Sequence, residues 1–244
     1  MRIAIVSDVH ANLSAFLAVL DHAGQGGPVD AVWCPGDIVG YGPQPNECIE
    51  LLREFDHVAV AGNHDLAACG KMGVVEFNDA AAAAARWTAT QLTPRSRTYL
   101  EELPFVVQEG DFTLVHGSLR DPEWEYLLSP TQAQVQFALQ ETPYSIVGHS
   151  HLAFVCREDA ATPPALDKMN DGDCVQLDDR RLILNPGGAG QPRDGDPRAG
   201  YTLYDDEARS VTFARVEYDI ETTQTAMRKA ALPRWLIERL SDGL

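Results

Sequence analysis

The chain is short of positive charge. Its 244 residues carry 19 Lys and Arg against 36 Asp and Glu, a formal net charge of −17. A surface this acidic repels polyanions, which argues against long nucleic acid or an anionic membrane as partner. It does not exclude a small phosphate substrate, because a bound cation reverses the field inside a site. No apolar run approaches the roughly 20 residues of a membrane span. The opening run Ile3-Ala4-Ile5-Val6 stops at Ser7-Asp8. It is too short for the core of a secretory signal and reads as a buried strand, so a cytoplasmic protein is expected. The five cysteines, Cys34, Cys48, Cys69, Cys156 and Cys174, are odd in number and spaced like neither a zinc ribbon nor a redox pair. Free thiols are the expectation. There is no internal repeat and no linker long enough to demand a second domain, so residues 1–244 read as one domain.

Short apolar runs are plentiful, and they keep ending in polar clusters. Ile3–Val6 leads to Asp8-Val9-His10, Ala31–Cys34 to Gly36-Asp37, and Val58–Val60 to Gly62-Asn63-His64-Asp65. Phe112–Val115 leads to His116-Gly117, and Ser145–Val147 to Gly148-His149-Ser150-His151. Continuous apolar runs of this length suit strands covered on both faces. Helical spacing separates several of them: Leu13–His22 with Asn12 or Ser14 as cap, Asn46–Phe55, the alanine-rich Asn78–Leu92, Pro94–Leu103 and Thr131–Leu139. Alternating strands and helices predict an α/β fold, in which function gathers at the carboxyl ends of strands. All five clusters fall there. Residues 1–155 thus form a half that carries the polar clusters. Glu158–Asp173 is acidic and proline-containing and reads as a surface loop. Runs at Cys174–Leu177, Arg181–Leu184, Tyr201–Tyr204 and Val211–Val216 read as an antiparallel half spanning 174–218. Residues 222–244 read as a helical tail broken at Pro233.

Five of the seven histidines, His10, His64, His116, His149 and His151, sit in the strand-end clusters beside Asp, Asn or Gly. One such histidine is ordinarily a hydrogen-bonded structural residue. Five together point to metal. Imidazole suits Zn, Fe, Mn or Ni, and carboxylate suits Mn or Mg. His22 and His57 lie outside the clusters and are expected to be structural. Trp33, Trp87, Trp124 and Trp235 are expected in core or interface, and the 78–92 helix either covers a sheet or shapes the pocket.

These clusters resemble the calcineurin-like metallophosphoesterases. The family pattern runs D-x-H, G-D, G-N-H-D/E, H and G-H-x-H, and all five blocks occur here in order, over residues 1 to about 218. The resemblance implies a four-layer α/β/β/α sandwich of two mixed sheets flanked by helices. It implies two divalent metal ions, Mn, Fe, Ni or Zn, with Asp8, His10 and His151 on one and Asn63, His116 and His149 on the other. Asp37 would bridge them, as a carboxylate with two oxygens can. It implies hydrolysis of a phosphate ester by a metal-bridging hydroxide, with metals about 3.5–4 Å apart. Two carboxylates and two dications leave the site cationic on an acidic protein.

In the family the histidine after the asparagine is an acid and a phosphate contact, which carries over to His64. Asp65 is expected to orient its imidazole. Two loops stand on the rim. Gly40–Asn46 brings Tyr41, either a substrate contact or part of a turn. Asn185–Gly195 resembles the N-P-G-S-x-G-Q-P-R loop of a bacterial phosphodiesterase-like branch, with Gly188 in place of serine. It brings Arg193, either a bidentate phosphate contact or a partner in an internal salt bridge. A phosphodiesterase acting on a small diester is the leading expectation. A phosphomonoesterase or protein phosphatase, a dinucleoside polyphosphate hydrolase and a non-catalytic metal-binding scaffold are the alternatives.

Overall fold

The apolar runs become strands whose two faces serve different interiors. The computed structural model describes residues 1–159 and 161–244. In chain order the first strands are β1 (Arg2–Ile5), β2 (Ala31–Cys34), β3 (His57–Ala59), β4 (Val106–Glu109), β5 (Phe112–Val115) and β6 (Tyr144–Ile146). The rest are β7 (Phe154–Arg157), β8 (Asp167–Lys168), β9 (Cys174–Gln176), β10 (Leu182–Asn185), β11 (Ala199–Asp205) and β12 (Ser210–Val216). The helices are α1 (Leu13–Gly24), α2 (Pro45–Leu52), α3 (Asn63–Cys69), α4 (Asp79–Gln91), α5 (Pro94–Glu102), α6 (Pro130–Leu139), α7 (Ile220–Lys229) and α8 (Arg234–Glu238).

The strands make two mixed sheets, β3-β2-β1-β11-β12-β9 and β4-β5-β6-β10-β7-β8. In β1, Ile3 and Ile5 face one core and Ala4 packs into another. The first core lies between the sheets, where Ile5 and Trp33 meet Phe112, Leu114, Ile146 and Leu184. The second is covered by helices α1, α2 and α5, through Phe16, Val19, Ile49, Leu52 and Leu100. Helix α6 covers the far face of the second sheet with Ala133 and Phe137 against Ile183 and Cys156. The layers are therefore α/β/β/α. Truncating a side chain such as Leu114 in the central layer would cost about 2–5 kcal/mol.

Helix α1 starts where expected because the Asn12 side chain accepts from the Ala15 N–H at 3.2 Å. The same residue donates to the Gly190 carbonyl at 2.8 Å and accepts from Thr223 Oγ1 at 2.9 Å. It therefore fastens α1 to the 185–195 loop and to α7. The tail bends before Pro233, with α7 ending at Lys229 and α8 starting at Arg234. Its Met227, Leu236 and Leu240 pack against Tyr41, Ala81 and Ala84.

The runs after residue 174 do not form one antiparallel meander. β11, β12 and β9 pair antiparallel in the first sheet, but β10 belongs to the second, parallel to β6 and antiparallel to β7. The reason is visible in β10 itself. Leu182 and Leu184 fill the central core while Ile183 reaches the α6 core, so both faces are covered, as in a parallel strand. The surface stretch 158–173 includes the short strand β8, and its residue 160 lies outside the described residues.

Candidate metal centre

Strands β1, β2 and β3 run parallel, as do β5, β6 and β10, so their carboxyl ends gather at one edge of the sandwich. The two sheets are joined there. Ala189 N–H donates to the Ser7 carbonyl at 3.0 Å, and Gly190 N–H to the Asp8 carbonyl at 2.9 Å. The turns needed are tight. Asp8, His10, Asp37, His149 and His151 all have positive φ, from 47° to 64°. Non-glycine residues avoid this region, and each such residue costs on the order of 1–3 kcal/mol that the surrounding structure must offset.

Two groups form. Asp8, His10 and His151 offer ligand atoms within 4.8 Å of one another, and so do Asp37, His116 and His149. All six are buried. Asp37 stands between the groups: its Oδ2 is 3.6 Å from His10 Nε2 and 3.4 Å from His116 Nε2. Its other oxygen accepts from the His64 N–H at 2.9 Å. Asn63 lines the same cavity with Oδ1 buried and unpartnered, and Asp8 Oδ1 is likewise without a hydrogen bond.

The tautomers follow from partners outside the groups. His10 Nδ1 donates to the Val39 carbonyl at 3.1 Å, His151 Nδ1 to Gln191 at 2.5 Å and His116 Nδ1 to Pro35 at 2.9 Å. His149 reverses the pattern, its Nε2 donating to the Trp124 carbonyl at 3.1 Å. Each remaining nitrogen then presents a lone pair inward. His10 Nε2 and His151 Nε2 lie 3.2 Å apart, and His116 Nε2 and His149 Nδ1 lie 3.1 Å apart. Facing lone pairs repel unless a proton or a metal ion sits between them. The donor set therefore fits metal, with each imidazole fixed by a carbonyl behind it.

Electrostatics agree. Burial alone lowers His116, but Asp37 beside it outweighs burial and pushes it up to about 9. A proton there takes the place of a metal. Burial holds His149 down at about 3 and, against the pull of Asp37, His64 at about 4. Buried histidines held neutral are the ligand form.

Asp65 is not the partner of His64. Its carboxylate accepts from the N–H groups of Val39 at 2.9 Å, Gly62 at 3.0 Å and Ile38 at 3.3 Å, while His64 Nδ1 is buried without a partner. Asp65 faces away because it caps its own helix, α3, and sews the Asp37 loop to the Asn63 loop. Burial, reinforced by Asp37, raises it to about 7. The His64 ring is instead set by packing. Tyr41 lies 4.3 Å and Phe77 4.8 Å from it, centre to centre, and Gly40 leaves it room. A Cβ at Gly40, whose φ is +92°, would stand 2.6 Å from His64 Nδ1.

Tyr41 and Arg193 both line the cavity. The Arg193 guanidinium stands 5.8 Å over the Tyr41 ring and donates to Gln191 Oε1 at 3.1 Å. Among the described residues it has no carboxylate partner; its neighbour Asp194 is taken by Arg215. Position 188 has no space for a side chain as the ring stands, since a Cβ would meet His151 Nδ1 at 2.8 Å. Phe77, Trp124 and Tyr126 complete the wall, and the sequence reading missed this grouping. No motif flags them, because they come from loops whose approach depends on the fold. His22 and His57 are structural as expected, bonded to Tyr201 and Tyr99.

Residues 1–209 match the calcineurin-like phosphoesterase superfamily domain. The chain belongs to that superfamily. It is thus a phosphoester hydrolase of a dinuclear-metal-dependent family, and its two ligand groups accord with that. It is similar to an uncharacterized protein of Methanocaldococcus jannaschii, 37% identical over 99% of this chain and 98% of that one. The crystal structure of a metallophosphoesterase from Sphaerobacter thermophilus shares 47% identity over 100% of this chain and 99% of that chain, with a TM-score of 0.90. A symmetrical bis(5′-nucleosyl)-tetraphosphatase of Aliivibrio salmonicida is 26% identical over 51% of this chain, which spans 46% of that relative.

Proposed function

We propose that this superfamily member is a phosphodiesterase acting on a small diester. Asp8, His10 and His151 hold one divalent ion, Asn63, His116 and His149 the other, and Asp37 is shared. The observation that carries the metal assignment is the pair of inward nitrogen contacts, at 3.2 and 3.1 Å, on histidines whose other nitrogens are spent on carbonyls. Mn, Fe, Ni and Zn all suit this donor set. When bound, such ions would supply Lewis acidity toward phosphoryl oxygens and lower the pKa of bound water to about 7.

The chain's own residues do the rest. Arg193, with no carboxylate partner among the described residues, offers its fork to a phosphate oxygen. The His64 Nδ1 is sealed against Gly40, so the ring acts through Nε2. His64 is neutral in the free site, and the negative charge of a phosphate beside it raises its proton affinity. It takes a proton from water at Nε2 and gives it to the departing alkoxide oxygen, worth on the order of 10²–10⁴-fold. Tyr41 and Phe77 hold its ring. Asp65 acts only through the loops it joins. The five free cysteines support a cytoplasmic setting.

Local similarity to symmetrical tetraphosphatases makes a dinucleoside polyphosphate the second reading. Turnover of bis-p-nitrophenyl phosphate, p-nitrophenyl phosphate and diadenosine tetraphosphate, by chelated and manganese-reloaded protein, separates the two. Manganese-dependent hydrolysis favouring the diester is expected. Preference for the monoester or the tetraphosphate would overturn the diester reading, and no hydrolysis of any would overturn catalysis.

A further inference from the structure

The cavity over the two groups has a volume of ≈ 80 Å³. That is well below the roughly 300–1,000 Å³ of pockets that enclose a whole ligand, so the phosphoryl group enters and the ester substituents lie on the rim. The rim is aromatic. Trp124 packs edge-on against Phe77 at 5.1 Å, and Phe77 packs edge-on against His64 at 4.8 Å. Tyr126 lies flat on His149, 3.9 Å away at 16°, and is still 40% exposed.

This wall is held in advance. The segment between β5 and α6 that carries Trp124 and Tyr126 is closed by Gly117 N–H to the Pro122 carbonyl at 2.8 Å, Trp124 N–H to Asp121 at 3.2 Å and Ser118 Oγ to Glu125 at 2.5 Å. An Arg120–Glu125 ion pair tightens it further. A rigid, partly exposed aromatic surface favours a flat partner, because little entropy is lost on stacking.

Charge narrows the class. Apart from the candidate ligands and His64, the charged side chains of the lining are Arg193 and Glu76, which cancel. A chain of phosphates needs several cations, and this rim has one on a protein of net charge −17. Exposed Glu76 instead offers an acceptor to an N–H-bearing group. We propose that the substrate is an ester of a single phosphate bearing a nucleoside whose base stacks on the Trp124–Phe77–Tyr126 wall, with Trp124 as a specificity-determining residue.

This inference rests on the phosphoesterase site proposed above, and its test reads binding rather than turnover. Calorimetry on manganese-loaded protein would compare adenosine 5′-monophosphate, ribose 5-phosphate and diadenosine tetraphosphate. Base–aromatic stacking predicts that the nucleotide binds about 10-fold or more tightly than the sugar phosphate. Trp124→Leu, with its metal content checked, should remove most of that difference and leave ribose 5-phosphate affinity unchanged. Phe77→Leu, which also loosens the His64 ring, is the second variant and should weaken the nucleotide more than the sugar phosphate. Equal affinities for nucleotide and sugar phosphate, no binding of either, or a tetraphosphate bound more than about 10-fold tighter than the monophosphate would overturn the inference. Selective nucleotide binding without diester hydrolysis would sink the diester reading and leave this one standing. Diester hydrolysis with equal affinities would do the reverse.

Discussion

The His64 main-chain N–H donates to Asp37 Oδ1 at 2.9 Å, so the carboxylate that faces both histidine groups is aimed by the residue proposed to serve the leaving group. Asp37→Asn keeps an oxygen for that bond and removes the charge between His10 and His116. We expect both metals to be lost together, with activity down by about 100-fold or more. Metal analysis checks it; wild-type stoichiometry would refute a shared ligand.

His64→Ala should separate chemistry from metal binding. Its ring lies among Tyr41, Phe77 and Gly40 rather than in either ligand group. Metal content should hold while kcat falls on the order of 10²–10⁴-fold, more for poor leaving groups. A loss independent of leaving-group pKa would contradict the proton-donor role.

Asp65→Ala should act through stability. It strands three buried N–H groups, those of Ile38, Val39 and Gly62. At about 1–3 kcal/mol each the cost is at least about 3 kcal/mol, roughly 6–12 °C in Tm for a chain of this size. Calorimetry measures it. If Asp65→Ala left Tm intact but changed the pH profile of kcat, Asp65 would be serving His64 after all.

Metal-free protein should be most stable near pH 6.5. Burial depresses His64 to about 4 and His149 to about 3, so below about 6.5 the unfolded chain binds protons that the folded one refuses. Stability from these groups is therefore lost as pH falls from 6.5 toward 4. His116, raised to about 9, works the other way and gives up its contribution between 6.5 and 9, and Asp65, raised to about 7, offsets part of the histidine loss between 6.5 and 4. Urea titration of chelated protein from pH 4 to 9 should trace that maximum; a flat profile below 6.5 would show that these histidines are not held neutral.

Much of the candidate centre was readable one residue at a time. Asp8, His10, Asp37, Asn63, His116, His149 and His151 stand at the ends of apolar runs, and each run buries both faces, which places it in a covered sheet and its end at a common edge. Helical patterns also located α1, α2, α4, α5 and α6, α1 through the 3.6-residue spacing that one-sided burial writes into the chain and α4 through its alanine content. The same rule, applied to Leu182–Asn185, marks a strand covered on both faces, but which sheet it joins is decided only by its pairing with β6 and β7. What needed the tertiary structure were relations with no local trace. Asp65 was read as serving the adjacent His64, yet it reaches across to the N–H groups of Ile38 and Val39, since a buried carboxylate goes where donors are unpaired. Nor does any spacing connect Phe77, Trp124 and Tyr126, whose meeting is fixed by how two loops close over the sheet edge. Ligand type is set by each residue's chemistry and survives in the sequence. Which side chains share a surface is set by packing between segments far apart in the chain, and only the fold decides it.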